Sequence, residues 1–357
     1  VSHWYFIEPC DVWMFRDSKP FTAGQSFVAR SQFPPTPQTM QGVVRSNYLE
    51  TQNVNWQAYG KGKINTAVGT PSELGDFSQI GPLVGQQTNA GIAMLMPAPL
   101  DVVRSKSGDQ TPLLLAPQAT AGHVRTSAPF AGWRPLAPAS RVDDLTYAGG
   151  WLDEAGIKAY LKGQAPSSWV ESSALFVHEE RVGLALASGK RTAREHHLYH
   201  AQYVRPQPGV GLLVGTNDAY LPNDAVINIG GESRSGYCTA VDFTPLSGAT
   251  SGRIKLVLLT PAYFSGGSGP ADGDWSRWVG GGRLVSTAIG RPQPISGWDV
   301  ANNRPKPLNQ YVPAGSVFYF EDAEWQGVPF TETPEGMLDH GAIGFGGALT
   351  ATWNSAN

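Results

Sequence analysis

The run from His3 to Tyr48 constrains the fold most. HWYFIEPCDVWMF, residues 3–15, is dominated by aromatic and branched side chains, which favour a pleated, half-buried strand. Pro9 puts a bulge or an edge into it. Further on, Thr36 stands where a helix N-cap belongs and Pro37 suits the first turn. Met40, Val43, Val44 and Tyr48 then fall at i, i+3, i+4 and i+8 on one face, with Gln38, Gln41 and Arg45 on the other. A strand leading through a crossover into an amphipathic helix predicts a mixed α+β chain.

Beyond this unit most segments read as strands. Ala174 to Val177, His197 to Val204, Val210 to Val214, Ala225 to Ile229, Ile254 to Leu259, Leu284 to Ile289 and Val317 to Glu321 all carry strand formers between turn residues. Ile92 to Pro99 and Thr111 to Pro117 read as short strands flanking a basic turn. A second helix fits Asp153 to Lys162, capped by Asp153, striped by Ile157, Tyr160 and Leu161, and ended by Gly163. GDWSRWVGG suggests a further short helix. From Gly60 to Gly91 no period is visible, which predicts a long loop or insertion. Glycine (42) and proline (28) punctuate the chain heavily but stay under the roughly 25–30% share that accompanies disorder, so the expectation is a loop-rich folded protein.

Charge and cysteine narrow the function classes. A formal net charge of −3 gives no global positive field, so any nucleic-acid site must be a local groove. Cys10 and Cys238 lie far apart in no metal or redox spacing, which excludes a disulfide framework, predicts buried free thiols and favours a cytoplasmic location. No run approaches the ~20 apolar residues that span a bilayer. GxSxG, GxxxxGK[ST], HExxH and paired-cysteine motifs are absent, which argues against serine-hydrolase, nucleotide-using and zinc-protease chemistry.

Three segments carry a family resemblance. IEPCDVWMFRDSKPF with VARSQFPPTPQTMQGVVR, the central RVGLALASGKRTAREHHLYHAQYVR with INIGGESRSGYCTAVDF, and KPLNQYVPAGSVFYFE with GAIGFG resemble the third subunit of the Cmr complex. That family belongs to the RAMP superfamily and to CRISPR type III-B effectors. The resemblance implies two decorated ferredoxin-like (RAMP/RRM-like) domains, at 1–165 and 166–357, with a glycine-rich loop near the C terminus. It also implies a non-catalytic subunit of an antiviral complex. Such a subunit binds the 5′ repeat-derived tag of crRNA and bridges the large polymerase-like subunit and the backbone subunit, with no cofactor, metal or membrane.

Residues left unexplained by composition then acquire expected roles. In FRDSKPF a turn after a strand sets Arg16 and Lys19 at a sheet rim, where they can meet phosphates, and Arg30 and Arg45 extend the line. Phe21, Phe27 and Phe33 are assigned to the core. Gly42 permits close approach by RNA or by a neighbouring loop. The resemblance carries a phosphate-facing role to Gly344, Phe345 and Gly346 in GAIGFGG. GGESRSG reads as a hairpin turn whose Arg234 faces the partner or the tag. GKRTAR, with Lys190 and Arg191, reads as a hairpin tip, either solvated or clamping a phosphate.

His196, His197 and His200 present the alternative of a metal-independent endoribonuclease processing precursor crRNA. Zinc does not suit them. In a strand, His196 and His200 stand roughly 13 Å apart.

Overall fold

The structure, a computed structural model, describes residues 2–19, 28–107, 110–119, 132–186, 193–299 and 302–354, the side chains of 28 and 184–199 excepted. It is a mixed α/β chain of mostly strands and few helices. Two compact units each take three stretches of chain: Val1–Ile92, Ser172–Asp242 and Pro294–Asn309 form the first, and Ala93–Glu171, Phe243–Gln293 and Gln310–Asn357 the second. The units therefore interleave in sequence instead of parting at residue 165. The cause lies in strand pairing, because the N-terminal strand takes both its neighbours from beyond residue 200.

In the first unit, β1 (His3–Pro9), β2 (Val28–Ala29), β3 (Gln79–Thr88), β4 (Phe176–Leu186), β5 (Ala193–Pro206), β6 (Val210–Thr216), β7 (Ala225–Asn228) and β8 (Ser235–Val241) build two sheets. Within this unit the larger includes the run β3-β6-β1-β8-β7, antiparallel throughout, with Phe6 opposite Leu213 and Ile7 opposite both Leu212 and Cys238. β4 and β5 form a long antiparallel hairpin, and β2 joins β5 in parallel. β3 lies in the stretch expected to be loop. Its residues from Gly81 to Gly85 are all buried, so it shows no alternation, and Gly81, Pro82 and Gly85 mimic a turn.

Helix α1 (Pro37–Thr51) begins where its cap predicts: Thr36 Oγ1 accepts the Thr39 N–H at 3.2 Å. Met40 and Val44 are fully buried, and Tyr48 meets Tyr220 edge-on. The polar face is buried as well, with Gln38, Gln41 and Arg45 each under a tenth exposed. A second helix, α2 (Trp56–Gly60), supplies Tyr59 to that face. Asn47 ties α1 to β7 through hydrogen bonds to the Asn228 carbonyl (2.9 Å) and from its N–H (3.1 Å).

The second unit centres on β9 (Ser251–Leu258), β10 (Val279–Gly280), β11 (Arg283–Ala288), β12 (Val317–Trp325) and β13 (Ala348–Thr352), ordered β10-β12-β9-β13 with β11 also on β12. One face carries Ile254, Leu256, Leu258, Phe318 and Phe320 against Phe264, Trp278 and Phe330. The alternate face carries Lys255 and Tyr319, opposite one another in register and both buried. Helix α3 (Glu154–Leu161) is capped by Asp153 as expected. GDWSRWVGG is not a helix; it makes one turn onto the Trp275 carbonyl and continues into β10. Cys238 is buried but Cys10 is exposed, because it sits just past the end of β1.

Candidate nucleic-acid interface

Three of the predicted cations come together in the first unit. The chain after Phe15 turns back on the segment before Ser31: Arg16 bridges Ser31, the Asp17 N–H donates to the Arg30 carbonyl at 3.1 Å, and the Gln32 N–H to Phe15 at 2.9 Å. Buried Ser31 locks this ribbon by accepting the Phe15 N–H at 2.8 Å. Arg16, Lys19 and Arg30 are all exposed along it. Asp17 stays beside them and accepts the Lys19 N–H at 3.3 Å.

A feature that sequence reasoning missed adjoins this rim. Ser18 Oγ donates to the Pro294 carbonyl at 2.6 Å, so the stretch 294–309 starts beside the FRDSK turn. Its small hairpin pairs Trp298 with Pro305 and Asp299 with Arg304. Trp298 is 56% exposed, which leaves ring surface open to stacking. Lys306 follows it, half-buried; burial pushes its ammonium below the ordinary lysine range, Asp299 opposes that push, and the Arg45 charge adds to it. The only sequence sign was the basic run RPKP, and nothing local shows that residue 294 meets residue 18.

Arg45 does not join the exposed ribbon, although its charge is felt at Lys306. Its guanidinium donates to Gln41 Oε1 (3.1 Å), Tyr59 Oη (3.0 Å) and the carbonyls of Thr70 and Glu73, so it pins the loop that covers the polar face of α1. Buried in this way, its guanidinium is taken up by this chain's own groups. At Gly42 an added Cβ would meet nothing within 4 Å, so no backbone of this chain among the described residues uses the gap. Phe33, half-buried, packs on Trp13 and Phe176. Phe21, Phe27, Lys190 and Arg191 lie outside the described residues.

Arg234 belongs to a charge network. Asp11 pairs with Arg181 (3.2 Å), Arg205 (3.0 Å) and Arg234 (3.7 Å), and Glu179 pairs with Arg181 and Arg205 at 2.7 Å each. The Arg181 and Arg234 guanidiniums sit 5.0 and 4.7 Å from the Tyr203 ring. Three cations against two carboxylates leave one positive charge in surplus. The GGESRSG turn that delivers Arg234 is a backbone requirement: Gly230, at φ 87°, packs so closely on the Met14 carbonyl that a Cβ would approach it to 2.8 Å.

The glycine-rich segment faces inward. Phe345 is fully buried, stacked on His340 with centroids 4.5 Å apart, and His340 stacks in turn on Tyr311. The N–H groups of Gly344, Phe345, Gly346 and Gly347 donate to Gly341 O, His340 O, Pro261 O and Thr260 Oγ1. At Gly346, φ 67°, a Cβ would stand 2.6 Å from the Phe330 backbone. In this conformation Gly344, Phe345 and Gly346 offer neither ring nor N–H to a phosphate; the glycines serve packing.

The second unit holds a denser cluster. Arg134 grips Glu321 through two bonds (2.7 and 3.0 Å), Arg283 reaches it at 2.8 Å and Arg253 at 3.5 Å. Burial pushes the Glu321 carboxyl up, but the three arginines outweigh it and hold it below its ordinary 4.5. A carboxylate lowered on folding stabilises the fold above its unfolded pKa and loses that contribution as pH falls through the folded value. Glu321→Gln is therefore expected to be less stable than the parent at neutral pH and to lose less on going from pH 5 to pH 3, read by thermal unfolding across that range. A parallel fall in both proteins would refute it.

The histidines stand on a strand. His196, His197 and His200 lie in β5, with His200 opposite Val182, so the helical i, i+4 zinc geometry is absent. Among the described residues no group of three or more His, Cys, Asp or Glu is placed to hold a metal. No helix among them is long and apolar enough to cross a membrane.

A family model described as CRISPR-associated protein (Cas_Cmr3) matches residues 5–353. The chain belongs to the Cas_Cmr3 family. Its function is accordingly that of a type III-B CRISPR complex subunit. Among solved structures, this Cas_Cmr3 member is similar to a chain of the type III-B Cmr-beta complex bound to cognate target RNA and AMPPnP. The two share 17% identity, with 88% of this chain and 86% of that one covered, at a TM-score of 0.51. The same coverage and identity hold for a chain of Cmr-beta bound to cognate target RNA, at a TM-score of 0.50. At that identity the likeness concerns the fold. No curated protein matches the chain.

Proposed function

We propose that this Cas_Cmr3 member is a non-catalytic RNA-binding subunit that holds the 5′ repeat-derived tag of crRNA and bridges the large polymerase-like and backbone subunits. The observation that carries the reading is the exposed ribbon of Arg16, Lys19 and Arg30 beside Trp298 and Lys306. Cations there neutralise phosphates and position the strand, while an exposed indole gives an unpaired base a stacking partner. The fold proposed with it is a pair of decorated ferredoxin-like domains. The order β3-β6-β1-β8 around helix α1 supports this for the first unit, since it is the antiparallel arrangement of a split βαβ motif with its second helix replaced by loop and β7.

Labelled crRNA with and without the repeat tag tests the reading, using the protein alone and with the large subunit. Tagged RNA is expected to bind more tightly, with log affinity falling against log salt by about 0.7 per phosphate neutralised. Equal retention of both RNAs would remove tag recognition. Shortened products that disappear when His196, His197 and His200 become alanine would establish the endoribonuclease instead.

A further inference from the structure

The polar residues on the inner face of α1 are not equally satisfied. Gln41 donates from Nε2 to the Gln38 carbonyl (3.2 Å) and accepts Arg45 at Oε1, and Arg45 is held by four neutral acceptors. Gln38 is only 8% exposed, yet among the described residues its side-chain amide has no hydrogen-bond partner. A buried amide in that state is costly, and a partner from outside the chain removes the cost.

Gly297 shows what that amide meets. A Cβ on Gly297 would stand 2.1 Å from Gln38 Nε2 and 3.7 Å from Lys306 Cδ, so the amide and the lysine stem come together against one glycine of the 294–309 stretch. Gly297 and Lys306 are half-buried, which opens this spot to solvent from the hairpin side. The Lys306 backbone is fixed, donating to Gly297 O (2.9 Å) and accepting Ser296 Oγ (2.7 Å). Its ammonium has neither a hydrogen-bond partner nor a paired carboxylate among the described residues. Asp299 acts on it without pairing, and that carboxylate also answers Arg304 at 3.9 Å, while the Arg45 charge acts the other way. Successive residues of a strand alternate sides, so Trp298 stands away from this spot and leaves it to polar groups.

The amide also belongs to the start of a 15-residue helix. Pro37 has no N–H, Thr36 Oγ1 takes the Thr39 N–H, and among the described residues the Gln38 N–H has no acceptor. Helical side chains lean toward the N-terminus, so the Gln38 amide stays at that end of α1, where the helix dipole is positive. Unmet donors of one N–H, one amide and one ammonium suit an anion with several acceptor oxygens.

We propose that the Gln38 amide, the free N–H at the start of α1 and the Lys306 ammonium form a seat for one phosphodiester group of RNA, between α1 and the 294–309 stretch. Lys306 supplies the charge and Gln38 the direction. The seat rests on the reading of the Arg16, Lys19 and Arg30 ribbon as an RNA track and continues it. Ser18 holds Pro294, and Gly297 lies three residues on, about 10 Å of extended chain.

The test places a neutral methylphosphonate at each linkage of the tag in turn. Binding of these tagged crRNAs to the full-length protein and to Lys306→Gln, Lys306→Arg and Gln38→Met is read by fluorescence anisotropy over a salt series. The parent is expected to lose affinity at the ribbon linkages and at one linkage more. Lys306→Gln should bind unmodified RNA about fourfold more weakly at about 0.15 M salt, with a slope shallower by about 0.7, the value for one phosphate on a single strand. It should lose the penalty at that one linkage and keep the others, which also shows that it is folded. Lys306→Arg should restore the penalty, and Gln38→Met should reduce it with the slope unchanged. Penalties equal in the parent and Lys306→Gln at every linkage would overturn the seat and leave the tag reading standing. A parent that binds tagged and untagged crRNA alike overturns the tag reading, and a penalty specific to Lys306 would still establish the seat. A parent with no penalty at any linkage would overturn both. If Lys306→Gln does not fold, the same comparison with Gln38→Met decides, and an unchanged set of penalties there overturns the seat.

Discussion

Asp101→Asn should lower the unfolding temperature by roughly 10 °C, the largest loss expected from any single substitution in the second unit. Asp101 is fully buried and gathers three partners: Lys255 Nζ at 2.6 Å, Tyr319 Oη at 2.6 Å and Tyr160 Oη at 2.9 and 3.0 Å from its two oxygens. Lys255 is as buried, and its ammonium lies 3.8 Å from the Tyr160 ring centre. An isolated ion pair at such depth gains little over an apolar replacement, but removing one partner strands the other charge, at a cost of about 3–5 kcal/mol.

The sign of the pH dependence follows. Burial holds the Lys255 pKa below 10.5 and Asp101 opposes that push, so removing the aspartate drives it lower still. Between the folded and unfolded values the unfolded chain binds more protons, and stability rises with pH. The variant should therefore recover part of its loss between neutral pH and pH 10, measured by denaturant unfolding. Asp101→Leu/Lys255→Met, which removes both charges, should be more stable than Asp101→Asn. A double variant as unstable as the single one would refute the ion-pair account and leave packing as the cause.

This hub shows where sequence reasoning stops. Ile254 to Leu259 reads as a strand, and it is one, yet nothing in the sequence marks Lys255 as a buried charge. Only the fold brings Asp101, Tyr160 and Tyr319 to it from three distant places. The same division runs through the first unit. Thr36 and Pro37 announced the start of α1 because capping is local chemistry. Arg45 on its polar face was assigned to a ligand, since nothing within a turn of it signals that Thr70 and Glu73 will fold over it. β3 went unread because strands covered on both faces lose their period.

Glycine was the least legible residue. In GGESRSG and GAIGFGG alike, a left-handed backbone and close packing account for the glycines, and a phosphate loop would have been spelled in the same letters. The strand expected over 3–15 ends at Pro9, so Arg16 and Lys19 lie in an exposed turn that follows only the isolated bridges of Trp13 and Arg16. Arg30 joined them through the ribbon locked by Ser31, and Trp298 through a hairpin far along the chain.

Arg16→Glu/Lys19→Glu/Arg30→Glu should therefore weaken tagged crRNA binding about a hundredfold, taking roughly 1 kcal/mol for each phosphate no longer neutralised. The three side chains are exposed; Arg16 Nη2 donates to the Lys19 carbonyl at 3.4 Å, while the two sides of the ribbon are joined through backbone atoms and Ser31. The fold should survive, with the unfolding temperature close to the parent's. Phosphate contacts set register more than sequence preference, so the salt slope should fall by about 2 along with the affinity. Trp298→Ala gives the complementary result: a loss on tagged RNA at every salt concentration with the slope unchanged, because stacking releases no counter-ions. If the triple variant binds tagged RNA as the parent does, the ribbon cations are solvated surface charges and the tag lies elsewhere. If tagged and untagged RNA weaken equally, the ribbon is a general phosphate track, and discrimination of the tag must come from residues that touch its bases.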